Sequence, residues 1–353
     1  VKLVKAGFGE TLGEGVVSAG GCVGCAACVV SCPFNCLDYM EEKPVVAREC
    51  RVCGICPAVC PRYGVSWPAL EEFVFGRKSK PGEEFGVYRR VVVARARDGE
   101  VLRVCQDGGV VTALLAFALE EGLIDGAAVS GTDAGRSLYP VPRLATSRRE
   151  VLESAGTRYS YSPNLLALQE GVKLGRGSLA FVGTPCQVLA LRRMQMVPLS
   201  RYVRSLDLAV GLMCTEAFTY RGLVEGKILG ELGIEPAEVE KVNIKARLLV
   251  TTRSRGEVAI PLSEAKRDAR EACGRCTDFS AELADISCGG VGLRGWTFTI
   301  LRTEKGEEAF DSAEESGALE TRPVEQERKA LETLTKLSKM KHLREKGLSS
   351  RVA

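Results

Sequence analysis

Two short cysteine runs constrain this chain more than any other feature. Cys22–Pro33 reads CVGCAACVVSCP and Cys50–Pro61 reads CRVCGICPAVCP, both with the spacing C-x2-C-x2-C-x3-C-P. A shift of 28 residues carries Cys22, Cys25, Cys28 and Cys32 onto Cys50, Cys53, Cys56 and Cys60. Thiols this close wrap the backbone around one face of an iron–sulfur cluster, where amide N–H groups stabilise sulfur charge. Structural zinc usually takes two C-x2-C pairs set further apart, so a pair of zinc knuckles fits this spacing poorly. A radical S-adenosylmethionine site would need C-x3-C-x2-C, and Tyr39 stands where Cys32 and Cys36 would require the third cysteine.

An internal repeat of this kind forms two halves around a pseudo-twofold axis. The runs are of the bacterial ferredoxin type, in which the fourth cysteine of each run ligates the other cluster. That assigns Cys22, Cys25, Cys28 and Cys60 to one 4Fe–4S cluster, and Cys50, Cys53, Cys56 and Cys32 to a second. Cys36 is left as a small buried apolar residue. The cysteines, 15 in all, cluster at metal-ligand spacings rather than being spread as a disulfide framework, which suits a reducing cytoplasm.

Bulk properties exclude several function classes. With 48 Lys and Arg against 45 Asp and Glu, the net charge of +3 gives no global field for nucleic acid. The longest apolar run, Val110–Leu119, is about half a membrane span, and the N-terminal stretch lacks the apolar core of a targeting peptide. The expectation is a cytoplasmic chain without a transmembrane segment, open to peripheral attachment to a membrane complex. The one histidine, His342, sits in a charged C-terminal segment, so a histidine base or ligand from the core is not expected.

Beyond Pro68 the composition changes, and the length allows a second, larger α/β domain. Gly76–Gly86 reads as an exposed linker. YRRVVVARA reads as a strand, and apolar pairs recurring every four residues after QDGG mark a helix with Asp107 as N-cap and Gly122 as C-cap. Gly108 and Gly109 either make a tight turn or let a phosphate approach the helix amides. A second strand–turn–helix follows in SLAFVGTPCQVLALRRM, placing Cys186 at a helix N-terminus, where the dipole favours thiolate. LDLAVGLMC reads as another buried strand ending at Cys214, followed by a helix around Tyr220–Leu232. If both strands share one parallel sheet, Cys186 and Cys214 meet at its carboxyl edge, where open α/β sheets hold ligands. Cys273 and Cys276 in EACGRCTDF complete four thiols, enough for a third 4Fe–4S cluster, a structural zinc, or a redox C-x2-C acting alone. Cys105 and Cys288 read as packing residues, and Glu304–Ala353 as a charged helical surface segment.

QDGGVVTALL, AGTRYSYSP, VGTPCQVLAL, CGRCTDF and ADISCGGVGLRGW, in this order, resemble the beta subunits of coenzyme F-420 hydrogenases and dehydrogenases. The likeness runs from about Trp67 to Thr303, and the cysteine runs in front make the chain similar to the electron-input subunit of F-420H2 dehydrogenases. It implies an N-terminal two-cluster ferredoxin domain (1–68), a linker (69–86), a mixed α/β flavin- and deazaflavin-binding domain (87–303) and a helical tail (304–353). It also implies that Cys186, Cys214, Cys273 and Cys276 hold the third cluster, and that FAD is bound. Carried over by motif, Asp107, Gly108, Gly109, Val110, Val111 and Thr112, with Thr157, Arg158 and Thr184, are its candidate contacts. Arg136 and Arg143 are candidates for the anionic tail of F-420, though either equally suits a solvated surface. The family often has lysine at the place of Arg158, and an apolar residue at that of Cys288.

The resemblance implies transfer between coenzyme F-420 and ferredoxin or a partner oxidoreductase subunit, in a direction the motifs do not encode. Two alternatives stay open. One keeps the fold with a different substrate; the other is an electron-relay subunit without a flavin site.

Overall fold

The computed structural model describes residues 3–197 and 203–349. The strands among the described residues are β1 (Leu37–Met40), β2 (Lys43–Val46), β3 (Arg90–Ala96), β4 (Gly126–Thr132), β5 (Pro140–Ala145), β6 (Leu179–Gly183), β7 (Leu206–Leu212), β8 (Val239–Ile244), β9 (Arg247–Thr252), β10 (Gly256–Pro261), β11 (Ile286–Gly289), β12 (Thr297–Leu301) and β13 (Leu319–Arg322). Eight form one mixed sheet in the order β13-β3-β12-β11-β7-β6-β4-β5. Its centre, β4-β6-β7-β11, is parallel, and antiparallel strands close both sides. The parallel strands read as unbroken apolar runs because helices cover both faces. β6 is buried at every position.

Helices Val110–Glu120 and Glu304–Glu315 cover one face, packing Leu114, Phe310 and Ala313 on Ala127, Ala180 and Val210. Helices Leu165–Lys173 and Pro185–Met196 cover the other, with Leu168 and Leu191 on Phe181 and Ala209. That second core also contains Val23, Val30, Ile55 and Val59 from the cysteine-rich N-terminal region. The N-terminal region is therefore built into the molecule rather than tethered to it. Arg193 reinforces the contact, donating to the carbonyls of Ala58 (2.8 Å) and Tyr63 (2.8 Å).

Several expectations change in detail. The segment 69–86 holds most of a helix, Trp67–Phe75, whose Leu70 packs on Val188 and Leu283; exposed chain begins only at Gly76. Residues 304–349 are more than a helical surface segment, since β13 pairs with β3 and Phe310 and Leu334 are fully buried. Asp107 is not the N-cap of its helix. Gly109 takes that place, in the left-handed region at φ 74°. A Cβ there would stand 2.8 Å from Val101 Cγ1 and 3.2 Å from Cys105 Sγ. Gly109→Ala is expected to cost about 2 kcal/mol through left-handed strain and crowding. Urea unfolding checks this, and an unchanged midpoint would contradict it.

Arg302 ties the sheet to the chain entering it. Its fully buried guanidinium donates to the carbonyls of Phe85 (3.0 Å) and Val87 (2.8 Å) and to Ser287 Oγ (2.7 Å).

Candidate functional site

The sequence repeat is also a backbone repeat. Gly24 and Val52, related by the same 28-residue shift, both have positive φ (71° and 51°), as do Ala26 and Gly54 (62° and 77°). Each pair precedes a short helix, Ala27–Val30 or Ile55–Val59. Alternating left-handed residues turn successive amides inward and make a concavity suited to negative charge. Two amides already point at sulfur: Gly24 N–H donates to Cys22 Sγ (3.4 Å) and Cys36 N–H to Cys32 Sγ (3.3 Å).

The thiols group in three sets. Cys28 has Cys25, Cys60 and Cys22 as charge neighbours, and Cys56 has Cys53, Cys50 and Cys32. The latter four line one small pocket together with Cys36, Phe34 and Ile55. Cys214 neighbours Cys273, Cys186 and Cys276. β6 and β7 are adjacent and parallel, so Cys186 and Cys214 do meet at one carboxyl edge. Among the described residues no three His, Cys, Asp or Glu are placed to hold a single metal ion. Convergence on one point is a requirement of a mononuclear ion; a four-iron cluster takes each thiolate on a different iron.

Burial dominates the electrostatics of these groups. It pushes the Cys56 thiol up to about 12 and that of Cys60 up to about 11, and raises Cys25, Cys28, Cys214 and Cys273. Cys186 departs from the expected thiolate: burial pushes it up to about 11, outweighing the helix N-terminus and the Thr184 hydroxyl 3.2 Å away. Without a cation these thiols are neutral at pH 7, and only bound metal would make them thiolates, with release of protons. Soft, buried sulfur donors with amide support fit iron–sulfur clusters.

The three sets stand in series. Cys56 is a charge neighbour of Cys28, and Cys186 of Cys25. Between the last pair lies buried Tyr161, its hydroxyl 3.8 Å from Cys186 Sγ and Arg270 stacked on its ring at 5.0 Å. At the far end, Tyr159 has both Cys214 and Asp107 as neighbours, so the third set abuts the DGGVVT loop. Lys241 of β8 crosses that loop, donating to the carbonyls of Cys105 (3.3 Å) and Gln106 (3.1 Å). Tyr159, Tyr161, Arg270 and Lys241 carry no spacing signal and were not legible as site residues.

The region of residues 91–169 matches the family model "Coenzyme F-420 hydrogenase/dehydrogenase, beta subunit N-term", and residues 177–327 match its C-terminal counterpart. The beta subunit of the coenzyme F-420 hydrogenase of Methanothermobacter thermautotrophicus is 39% identical over 273 residues, 75% of this chain and 96% of that one. The chain belongs to the coenzyme F-420 hydrogenase/dehydrogenase beta subunit family. A component of the F(420)H(2) dehydrogenase of Methanosarcina mazei is 28% identical over 91% of this chain and 89% of its own, a span that includes N-terminal sequence outside the family models. A solved structure of the F-420-reducing NiFe hydrogenase complex of Methanosarcina barkeri contains a chain that superposes with a TM-score of 0.72 at 33% identity, covering 76% of this chain and 94% of that chain. F-420-linked redox and electron transfer is thus the activity of the family, and no helix among the described residues is long and apolar enough to cross a membrane.

Within this family member, the candidate cofactor residues divide. Gly108 is required by packing: its N–H donates to Thr297 Oγ1 (3.1 Å), and a Cβ would stand 2.7 Å from Ala94 O. Val110, Val111 and Thr112 form the first turn of the helix beyond it. Asp107 is largely buried, which raises its carboxyl, with Lys245 and Lys241 opposing. Among the described residues Arg158 has no acidic partner: it donates to Thr132 Oγ1 (3.0 Å) and Ser154 O (2.8 Å), and burial beside Arg143 holds it down to about 10. Thr157 is exposed beside it. Thr184 turns its hydroxyl to Cys186. Arg143 pairs with Glu153 (3.1 Å), while Arg136 pairs with Glu225 (2.5 Å) between the rings of Tyr139 and Tyr220. Arg136 is accordingly neutralised and stacked.

Cys105, which donates to Asp107 O (3.0 Å), and Cys288 in β11 are both buried. Cys36 is buried too, donating to Glu49 O (3.1 Å). His342 contacts Glu282 Oε1 at 2.7 Å, and that carboxylate raises its pKa. The pair therefore stabilises the fold fully below the unfolded pKa of about 6.5, and loses that contribution as pH rises through the higher folded value. The stability gap between wild type and His342→Gln should narrow as pH rises from about 6, a trend that urea unfolding at several pH values would read. A gap independent of pH would contradict it.

Proposed function

We propose that the chain is an FAD- and iron–sulfur-dependent oxidoreductase between coenzyme F-420 and a one-electron partner, either ferredoxin or another oxidoreductase subunit. The N-terminal region acts in this reading as a two-cluster ferredoxin module. The observation that carries it is the serial placement of the three thiol sets, ending beside the DGGVVT loop. When bound, FAD would exchange the two-electron hydride chemistry of a deazaflavin for the one-electron transfers of iron–sulfur clusters.

The chain's residues supply binding and placement. Cys22, Cys25, Cys28 and Cys60, then Cys50, Cys53, Cys56 and Cys32, then Cys186, Cys214, Cys273 and Cys276 would hold the clusters, with inward amides supporting sulfur charge. The first-turn amides of Val110, Val111 and Thr112 and the cation of Arg158, unpaired with any carboxylate among the described residues, suit the FAD phosphates. Asp107, under Lys241 and Lys245, faces the same loop. Arg143 remains a candidate for the anionic tail of the substrate, and Arg136 a weaker one because Glu225 already pairs it. Buried apolar packing shields Cys25, Cys28, Cys56 and Cys60 of the N-terminal sets, while the four cysteines of the third set are partly exposed.

The test is anaerobic mixing of FAD- and iron-reconstituted protein with reduced F-420 and an oxidised one-electron acceptor, following the return of deazaflavin absorbance. Return that depends on both FAD and iron supports the reading. No return in either direction, with both confirmed bound, would turn the assignment to a different substrate.

A further inference from the structure

The helix Arg328–Ser349 begins where the family models end, at residue 327, yet it reaches the third thiol set. Its first turns are anchored by Ala330 and Leu334, packed on Phe85, Phe279 and Phe298. Further along, Lys339 pairs with Glu84 (3.0 Å), His342 with Glu282 (2.7 Å), and Arg344 donates to the carbonyl of Cys273 (2.7 Å). Lys341, between these anchors, is only 3% exposed. Among the described residues it makes no ion pair or hydrogen bond. Its ammonium acts on Cys214 and Cys273, opposing the burial that raises both thiols, and likewise on the buried carboxyl of Asp278.

Other charges near this set are accounted for. Arg270 is ion-paired with Glu42, and Glu216 with Lys266 (3.4 Å). Asp278 is fully buried, and burial with its neighbour Glu282 pushes its carboxyl up to about 7. Asp278 makes no direct ion pair with Lys341 among the described residues, so the ammonium is only partly balanced, and an anchored helix does not let it swing to water. Four thiolates around a cluster carry net negative charge, a second and stronger counter-charge for this ammonium.

We infer that Lys341 is the charge-setting residue of the third site: its ammonium is the counter-charge of the cluster on Cys186, Cys214, Cys273 and Cys276, and raises that cluster's reduction potential. The inference rests on the cluster reading above. One-electron reduction adds negative charge to the cluster, so a nearby cation stabilises the reduced form more than the oxidised one. The helix thereby makes the site beside the DGGVVT loop easier to reduce, with Lys341 acting through the cluster as a positioning residue.

The experiment is a redox titration of the full reconstituted chain, with the third cluster monitored by electron paramagnetic resonance, in wild type, Lys341→Met and Lys341→Arg. Lys341→Met should keep its iron but reduce less readily, with the reduced-to-oxidised ratio at the wild-type midpoint falling roughly tenfold, about 59 mV for a one-electron couple. Lys341→Arg should restore most of the shift. Full iron with an unchanged midpoint in Lys341→Met would overturn the inference alone. A wild type with no third-cluster signal and no more iron than Cys273→Ser would overturn the cluster reading and the inference together. Thermal unfolding keeps the inference falsifiable if Lys341→Met binds no cluster: without iron it should melt at or above wild type, having lost a cation that only Asp278 balances, and with iron supplied it should melt below. The same order in both states would overturn the proposal.

Discussion

Cys273→Ser is expected to lose about a third of the iron, that of one cluster in three, and to abolish transfer between F-420 and any one-electron partner. A serine hydroxyl is a poor ligand for a soft iron–sulfur centre. Cys273 has Cys186, Cys214 and Cys276 as thiol neighbours among the described residues, while Cys105 and Cys288 are buried in the sheet core. The N-terminal signals should survive intact, because those eight cysteines form separate sets. Cys288→Ala, in the same sheet but buried among apolar side chains, serves as the control and should retain all its iron. Full iron and sulfide in Cys273→Ser would remove the third cluster from the account.

Arg270→Met is expected to separate the two halves of the molecule functionally. The guanidinium is ion-paired with Glu42 in the β1–β2 turn, donates to Glu42 O (3.2 Å), and stacks on Tyr161. It lies where Cys25 of one thiol set approaches Cys186 of the next. Truncating it leaves the Glu42 carboxylate without its partner in a mostly buried setting, which costs about 3 kcal/mol. Transfer between the N-terminal clusters and the third should slow as the contact loosens, while F-420-dependent reduction of the third cluster alone persists. Stopped-flow reduction and urea unfolding read the two effects separately. Wild-type values in both would show that the contact holds without Arg270.

Much of the architecture was legible because local signals agreed. The strand–turn–helix around Gly183-Thr184-Pro185 announced itself through a buried apolar run, a turn and a proline at the first helical position, and it placed Cys186 correctly. What escaped was long-range. β13, with the sequence LETR, is short and charged because it lies at a sheet edge, so its pairing with β3 left no apolar pattern. Its neighbour helix hid Phe310 among glutamates. Arg193, Arg270 and Lys341 look like surface cations in sequence; only packing reveals that each is buried. The left-handed backbone at Ala26 and Val52 was equally hidden, since neither is a glycine. The N-cap was misplaced for the opposite reason: Asp107 has the right chemistry for a cap, but crowding beneath Gly109 moves the helix start two residues on.

The most direct measurement is rapid-freeze electron paramagnetic resonance after anaerobic mixing of FAD- and iron-loaded protein with reduced F-420. The account predicts that the third-cluster signal rises first and the two N-terminal signals follow, matching the order of the thiol sets outward from the DGGVVT loop. N-terminal signals that rise while the third cluster stays oxidised, or that rise unchanged in Cys273→Ser, would contradict it.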